Sequence, residues 1–238
     1  MGSERTLSVD IAVSTPQFTL EVSLEAPPGI TILFGPSGSG KSTTLSAIAG
    51  LTQASAGKIA LGGDVWFDSA AKIDRPVHLR GLAFVFQSVA LFPHMSGVEN
   101  VAYGIERSVA RSDRYRLAMA MLERMRVADL ARRRPSTFSG GEAQRVALAR
   151  AFARSPSLVL LDEPFSAMDR ELRGDLCADV KATVRDLNLP AIMVTHDRDE
   201  ARAVGDRVVI LRSGRVAAAG TIHTHLPDVD RAPSPPQA

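Results

Sequence analysis

One stretch of this sequence decides how the chain folds: Gly35-Pro36-Ser37-Gly38-Ser39-Gly40-Lys41-Ser42. The apolar run 30–34 leads into it, and the helix-like segment 43–49 leads out of it. The stretch matches the P-loop pattern, which is glycine, four residues, glycine, lysine and serine between a strand and a helix. The sequence therefore predicts an α/β fold that binds a nucleoside triphosphate.

Each residue type in this loop has a physical role in holding phosphate. Glycines let the backbone curl so that successive N–H groups point into one concavity, and the following helix adds the positive end of its dipole. Lys41 can reach the β- and γ-phosphates as a point charge, and the Ser42 hydroxyl can ligate Mg²⁺. We predict that residues 35–43, ending at Thr43, bind nucleotide and that Lys41 also assists catalysis. A glycine/serine turn that contains a lysine by chance is the disfavoured alternative.

Composition limits the class of protein. The 238 residues suffice for one large α/β domain, and 45% hydrophobic with 23% charged residues is ordinary globular usage. The net charge of +2 gives no reason to expect a nucleic-acid partner. The single cysteine, Cys177, excludes an internal disulfide framework. No run approaches the ~20 apolar residues that a membrane span needs.

Polar side chains stand at the ends of other apolar, strand-like runs. Gln87, the pair Asp162-Glu163, and His196 each come directly after such a run. Ligands of an open parallel sheet bind at the carboxyl ends of its strands, so we expect these side chains to meet at one nucleotide. Asp162 fits an acid that holds Mg²⁺ through water, and Glu163 is placed to orient or deprotonate the attacking water. Gln87 can ligate Mg²⁺ or its water, and His196 can hydrogen-bond the γ-phosphate; ordinary polar loop residues are the alternative.

The other strand and helix patterns in the sequence predict one domain. Two alternating strands are predicted over 7–13 and 18–24, and helical texture extends over 88–137. A further helix begins at Ser139, where the Ser-x-x-Glu spacing has the form of a capping box. The domain is predicted to span residues 1–226, followed by a disordered proline-rich tail over 227–238.

An arginine-studded stretch from 113 to 134 is predicted to be helical. Apolar side chains recur there at helical spacing: Leu117, Met121, Leu122 and Met125. Its arginines could form a nucleic-acid patch, but acidic residues are interleaved with them. A solvated helix face is the favoured interpretation.

A second motif resembles the signature of the ATP-binding cassette (ABC) ATPases: Phe138-Ser139-Gly140-Gly141-Glu142-Ala143-Gln144-Arg145-Val146-Ala147-Leu148-Ala149-Arg150-Ala151. The order of P-loop, glutamine, signature, acidic strand end, D-loop (Ser166-Ala167-Met168-Asp169) and histidine is also that of the family. The resemblance covers about 7–220. It implies a P-loop NTPase with a RecA-like core on a parallel sheet, an N-terminal antiparallel β subdomain and an inserted α-helical subdomain at about 88–137. It also implies ATP and Mg²⁺ as ligands.

The resemblance further implies that two cassettes, expected to be a homodimer, pack head-to-tail. Each signature then closes on the ATP of the other subunit. The residues implied at that nucleotide are Ser139, Gly140, Gly141 and Glu142 of the signature and Asp169 of the D-loop. ATP holds the two cassettes together, and its hydrolysis releases them.

The chain departs from the family pattern in two places. The signature has Phe138 and Glu142 where leucine and glutamine are commoner, but it keeps the Ser-Gly-Gly core. The aromatic residue that usually stacks on adenine has no clear match. The region around Val13 is aliphatic, and Phe18 is a weak candidate.

The segment from Gln87 to Met95 is similar to importers for molybdate, sulfate, iron or polyamines. With 63–68 and 80–87 it is most similar to the molybdate-importer ATPase. This resemblance implies ATP hydrolysis coupled to import of molybdate or a related oxyanion. It also implies membrane permease subunits docked near 87–95, an indirect role for a periplasmic-type solute-binding protein, and a peripheral location on the cytoplasmic face of the inner membrane.

Several alternatives stay open at this point. Molybdate and sulfate cassettes usually carry a regulatory domain after the ATPase, and none is predicted in this chain, which weakens the choice of solute. The chain could instead serve an importer for iron, sulfate or polyamine, or an exporter. A non-transport ABC ATPase acting on nucleic acid is a further alternative, although no nucleic-acid partner is predicted.

Overall fold

A computed structural model of the chain describes residues 5–14, 19–166, 168 and 170–226. The predicted tail over 227–238, the adenine candidate Phe18, and D-loop residues Ala167 and Asp169 lie outside the described residues. In the described part, no helix combines the length and the apolar character needed to cross a bilayer.

Strands and helices alternate along most of the described chain. The strands are β1 (Leu7–Ser14), β2 (Thr19–Ala26), β3 (Gly29–Phe34), β4 (Ala56–Leu61), β5 (Asp64–Asp68), β6 (Ile73–Asp74), β7 (Leu82–Val85), β8 (Leu158–Asp162), β9 (Pro190–Val194), β10 (Arg207–Arg212) and β11 (Arg215–Thr221). The helices are α1 (Lys41–Ala49), α2 (Gly97–Gly104), α3 (Arg111–Arg124), α4 (Gly140–Ala153), α5 (Arg170–Asp186), α6 (Arg198–Val204) and α7 (Ile222–His225). The predicted α/β class is confirmed.

All the described strands belong to one sheet in the order β6-β5-β4-β1-β2-β11-β10-β3-β9-β8-β7. From β6 to β2 the neighbours are antiparallel, whereas β10, β3, β9, β8 and β7 run parallel to one another. The two halves meet where β2 pairs with β11 at Glu21 and Arg215. The N-terminal strands are therefore an antiparallel extension of a parallel sheet.

Each face of the sheet carries its own hydrophobic core. In β8, Val159 and Leu161 belong to the core that includes α2 to α7. Leu158 and Leu160 belong to the opposite core, with α1 and the antiparallel strands. Because this strand is buried on both faces, its sequence is a continuous apolar run rather than an alternating one.

The arginine-studded stretch is only partly helical. α3 ends at Arg124, and Arg126 adopts a left-handed φ of 56°. The buried positions of α3 are Ala118 and Leu122, while Leu117 is 41% exposed. The prediction of one helical stretch to 134 was wrong because the chain turns at Arg126 to bury Val127 beneath the helices.

Candidate active site

The loop between β3 and α1 requires glycine at several positions. Gly38 and Gly40 have left-handed φ angles of 76° and 101°, which other residues rarely adopt. A Cβ atom added to Gly35 would lie 2.3 Å from the Leu211 carbonyl oxygen. Gly40 is the N-cap of α1, and no side chain caps this helix. No side-chain cap therefore competes with a ligand for the first N–H groups of α1.

Lys41 is folded into the loop that precedes it. The side chain is 8% exposed, and its Nζ donates to the carbonyl oxygens of Gly35 and Pro36, each at 2.9 Å. Burial lowers the pKa of Lys41, and the nearby Glu163 and Asp162 oppose this effect. An ammonium group that has lost water is stabilised by an added anion, so this position suits a phosphate.

Ser42 and Asp162 form the corner of the site that would hold a metal ion. The Ser42 hydroxyl donates to Asp162 Oδ1 at 3.2 Å. The pKa of Asp162 is raised mainly by burial and further by Glu163, while the Ser42 hydrogen bond and Lys41 lower it. Mg²⁺ in nucleotide sites takes one or two protein oxygens and keeps its waters. Ser42 and Asp162 fit Mg²⁺, since the ion would place positive charge beside the partly buried carboxylate of Asp162.

Glu163 is held between Gln87 and His196. Gln87 Nε2 donates to Glu163 Oε2 at 3.1 Å, and His196 Nδ1 lies 3.1 Å from Glu163 Oε1. The backbone of Glu163 has a left-handed φ of 46°, and its N–H donates to the Val194 carbonyl on β9 at 3.0 Å. Such a conformation is uncommon for a residue other than glycine. The structure thus brings together the polar side chains predicted to meet at the strand ends.

The contact of Gln87 differs from its predicted metal role, and Val13, in the region where no adenine-stacking residue was predicted, is buried. The hydrogen-bond partner of Gln87 is Glu163 rather than the metal corner, and its role as a metal ligand stays a prediction. Val13 is 1% exposed and belongs to the core beside α1. In its buried position, Val13 is unavailable to stack on adenine.

The signature residues 139–142 begin helix α4. Ser139 is the N-cap, and its Oγ accepts from the Glu142 N–H at 3.3 Å. Glu142 Oε2 in turn accepts from the Ser139 N–H at 2.6 Å, and this hydrogen bond lowers the pKa of Glu142. Ser139 and Gly140 are exposed. An added Cβ on Gly141 would lie 3.4 Å from Met168 Cε, in the segment after Glu163.

Sequence reasoning missed Arg173 on α5. Its guanidinium donates to the Met168 carbonyl oxygen at 3.0 Å and to Asp197 Oδ2, beside His196, at 2.9 Å. Asp197 lies 24 positions away in the chain, and no local pattern links a helix arginine to a loop at that distance. The contact depends on the packing of α5 against α6.

The fold and this site define a P-loop nucleotide-binding protein with a parallel sheet at its centre. A family model described as "ABC transporter" matches residues 20–166, and the chain belongs to that family. The resemblance inferred from the signature motif is confirmed.

Curated relatives carry a more specific name. The chain is 44% identical over 215 residues to the molybdenum import ATP-binding protein ModC of Albidiferax ferrireducens, covering 90% of this chain and 58% of that protein. It is 40% identical over 225 residues to ModC of Pseudomonas syringae pv. tomato, covering 94% of this chain and 62% of that protein. The chain therefore spans about three fifths of the length of these relatives.

Two solved structures share the fold. One is the dimeric structure of a bacterial ABC transporter cassette, with a TM-score of 0.76 and 25% identity over 92% of this chain and 99% of that chain. The other is a dimeric post-hydrolysis state of the same cassette bound to ADP and Pi, with the same TM-score, identity and coverage.

Proposed function

We propose that this chain is the ATP-binding and ATP-hydrolysing subunit of a membrane importer. The observation that carries the proposal is the placement of Glu163 between Gln87 and His196, beside the Ser42–Asp162 corner and the P-loop lysine. The reaction is attack of water on the γ-phosphate of ATP, which yields ADP and phosphate.

The P-loop holds the phosphates before reaction. Backbone N–H groups of the non-proline residues in 35–43 surround the phosphate oxygens, and Lys41 changes partners from the loop carbonyls to the β- and γ-phosphates. Mg²⁺, when bound, neutralises charge on the β- and γ-oxygens. Ser42 would hold it directly, and Asp162 would hold it through water.

Glu163 orients the attacking water and accepts its proton. A carboxylate hydrogen-bonded on both oxygens is fixed in direction, which favours a single approach to the phosphorus atom. Gln87 fixes one oxygen, and it would contribute to the metal shell through water. His196, whose side chain is 68% exposed, turns its other ring nitrogen to the γ-phosphate.

One chain supplies half of the composite site. The Ser-Gly-Gly core of the signature starts at Ser139, and within the described residues no hydrogen bond connects residues 139–142 to the P-loop. We therefore propose a head-to-tail homodimer, in which Ser139, Gly140, Gly141 and Glu142 of each copy close on the ATP of the other, together with Asp169. The dimeric arrangement of the cassette with a TM-score of 0.76 supports this assembly.

A groove beside the segment 87–95 is the proposed docking place for permease subunits. A cavity of about 530 Å³ lies there, lined in part by Phe84, Phe92, Tyr103 and Arg150. Tyr103 is largely exposed, and the Arg150 guanidinium lies 5.2 Å from the centre of the Phe92 ring. An apolar groove with a cationic wall suits a short helix of a membrane protein. Docking would hold the chain peripherally at the cytoplasmic face of the inner membrane, with a solute-binding protein acting on the permease.

Molybdate is the proposed solute, because the relatives at 44% and 40% identity are named molybdenum import proteins. The cassette itself does not touch the solute, so the test requires the assembled importer. Hydrolysis should be stimulated by a molybdate-loaded binding protein. If a binding protein loaded with sulfate, iron or polyamine stimulates hydrolysis and the molybdate-loaded one does not, molybdate is not the transported solute.

The Glu163→Gln variant tests the hydrolytic role. The amide has nearly the same shape and keeps one acceptor oxygen for its neighbours Gln87 and His196, but it cannot accept a proton. ATP binding and ATP-dependent dimerisation therefore persist while hydrolysis slows by about 10²–10⁴-fold. Hydrolysis is measured with and without the permease, and dimerisation by gel filtration with ATP. Glu123→Gln, on the exposed side of α3, is the matched control and retains hydrolysis. A Glu163→Gln protein that stays monomeric with ATP and turns over normally would refute the assigned role.

A further inference from the structure

Arg173 connects the two chain segments that follow the proposed catalytic side chains. It lies in the first turn of α5, and its Nη2 donates to the Met168 carbonyl oxygen at 3.0 Å. Its Nη1 lies 2.9 Å from Asp197 Oδ2 and 2.9 Å from Glu200 Oε1. Met168 belongs to the segment downstream of Glu163, and Asp197 directly follows His196. One guanidinium therefore connects the segment that follows β8 to the segment that follows β9.

The partners of Arg173 fix the backbone on both sides of His196. Asp197 Oδ1 accepts from the N–H groups of Asp199 and Glu200 at 2.8 and 3.1 Å, which caps α6. The Thr195 hydroxyl donates to Glu200 Oε2 at 2.6 Å and accepts from the Asp197 N–H at 3.0 Å. The residues before and after the histidine are thus tied to the same two carboxylates that Arg173 contacts.

The charges in this cluster depend on the guanidinium. Glu200 is 6% exposed, and burial raises its pKa while Thr195 and Arg173 lower it. Cys177 lies on α5 with Arg173 and is buried, and this burial raises the pKa of its thiol to about 12. Without Arg173, Asp197 and Glu200 would lose the cation that contacts both of them in the described part of the chain. The observed conformation of the loop that carries His196 would then be destabilised.

Only an arginine can make all three contacts at once. The planar guanidinium presents donors in a fixed fork, so one edge meets the carboxylates while another meets the carbonyl. A lysine ammonium is a compact charge and could reach the carboxylates or the carbonyl, but not both. The geometry therefore calls for a rigid bridge as well as a positive charge.

We propose that Arg173 is a positioning residue that holds Glu163 and His196 in register by bridging Met168 to Asp197 and Glu200. In this proposal it contacts neither ATP nor the attacking water and acts through the two loops. The inference rests on the proposed ATP hydrolysis. It predicts that Arg173 affects the chemical step and leaves nucleotide binding at the P-loop unchanged, because the bridge contacts no P-loop residue among those described.

The test compares Arg173→Met and Arg173→Lys with the wild-type chain, each assembled with its permease. Arg173→Met should lower kcat by about 10–100-fold, the size expected when catalytic groups shift by about 1 Å. KM and the Kd for ATP should stay within about twofold of wild type. Arg173→Lys should recover part of kcat. Hydrogen exchange should quicken in the peptides that contain 164–168 and 195–200, but not in the P-loop.

Arg124→Met is the matched control. Arg124 also anchors to α5, donating to Thr183 Oγ1 at 2.7 Å and to Asp186, but at the opposite end of the helix from the site. If Arg173→Met and Arg124→Met lose the same stability and keep the same kcat, Arg173 is merely structural and the inference is overturned. The same holds if kcat and ATP affinity fall together. If the wild-type assembly does not hydrolyse ATP, the proposed function fails first, and the inference fails with it.

Discussion

Helices α1 and α4 both begin at glycine-containing turns, but their first N–H groups have different partners. The N-cap of α1 is Gly40, and no side chain caps that helix or places an acid in its first turn. The N-cap of α4 is Ser139, which forms a reciprocal capping box with Glu142. The first N–H groups of α1 are left for a ligand, whereas side chains of the chain itself form the hydrogen bonds at the start of α4.

This difference assigns different tasks to the two helix starts. At α1, free N–H groups and the buried ammonium of Lys41 together favour an anion without help from a partner. At α4, two N–H groups are already occupied, and the lowered pKa of Glu142 keeps a negative charge there at neutral pH. The α1 site should therefore capture ATP first, and α4 should join when a second subunit delivers the phosphate to it.

A third helix provides an internal reference. α2 begins with the same capping box, in which Glu99 Oε2 accepts from the Ser96 N–H at 2.7 Å and Ser96 Oγ accepts from the Glu99 N–H at 3.4 Å. No nucleotide role is proposed for α2. The capping box therefore stabilises a helix without requiring a ligand. A ligand role for α4 is tested by comparing matched variants of α4 and α2.

Among variants that compare these helix starts, the largest effect is expected at α1, from Lys41→Met. Removing the cation aimed at the developing charge should lower hydrolysis by about 10²–10³-fold. It should also weaken ATP binding, while folding persists because methionine can fill the buried space. Lys58→Met is the control, since Lys58 is exposed and pairs with Asp68 at 3.2 Å on the outer strands. Equal ATP affinity in the two variants would show that α1 does not depend on its lysine.

The sequence was most informative where chemistry is local. The P-loop, the acidic strand end and the Ser139–Glu142 capping box each depend on residues a few positions apart, and all three have the predicted geometry. The meeting of Gln87 with Glu163 followed from a general rule, because parallel strands end at one edge of their sheet.

Contacts made only by packing were not predictable. The end of α3 depends on a left-handed turn at Arg126, a residue with no intrinsic preference for that conformation. α7 is four residues long and has no periodicity to detect. The bridge made by Arg173 joins elements whose proximity is decided by the whole sheet order.

A smaller effect is expected from Ser139→Ala, and it separates α4 from α2. Loss of an N-cap serine costs ~1 kcal/mol of stability, so Ser139→Ala and Ser96→Ala should unfold at similar, slightly lower denaturant concentrations. In the Glu163→Gln background, only Ser139→Ala should weaken ATP-dependent dimerisation, by about 10-fold, because it removes a hydrogen bond to a charged phosphate. Sedimentation with and without ATP measures this. Equal dimerisation of the two variants would remove α4 from the nucleotide interface.

The smallest effect is expected from Glu142→Gln, with Glu99→Gln as its control. A carboxylate near the phosphate of the opposite subunit repels it, so the amide should strengthen ATP-dependent dimerisation by about 2–5-fold, corresponding to about 0.4–1 kcal/mol. The gain should shrink as salt rises, since the repulsion is between exposed charges. Glu99→Gln should leave dimerisation unchanged. A decrease on Glu142→Gln would mean that the carboxylate assists closure.

The same pair of variants shows whether stability and assembly are separate properties of the capping box. The pKa values of Glu142 and Glu99 both lie below the ordinary value of 4.5, mainly through hydrogen bonds from the N–H groups of Ser139 and Ser96. Each ionised carboxylate therefore stabilises the fold above pH 4.5, and that contribution is lost as pH falls through the lowered pKa. Both glutamine variants should lose stability at pH 7 and approach wild type on acidification, as urea midpoints would report. If the two stability losses match, a change in dimerisation confined to Glu142→Gln comes from the position of α4 at the nucleotide.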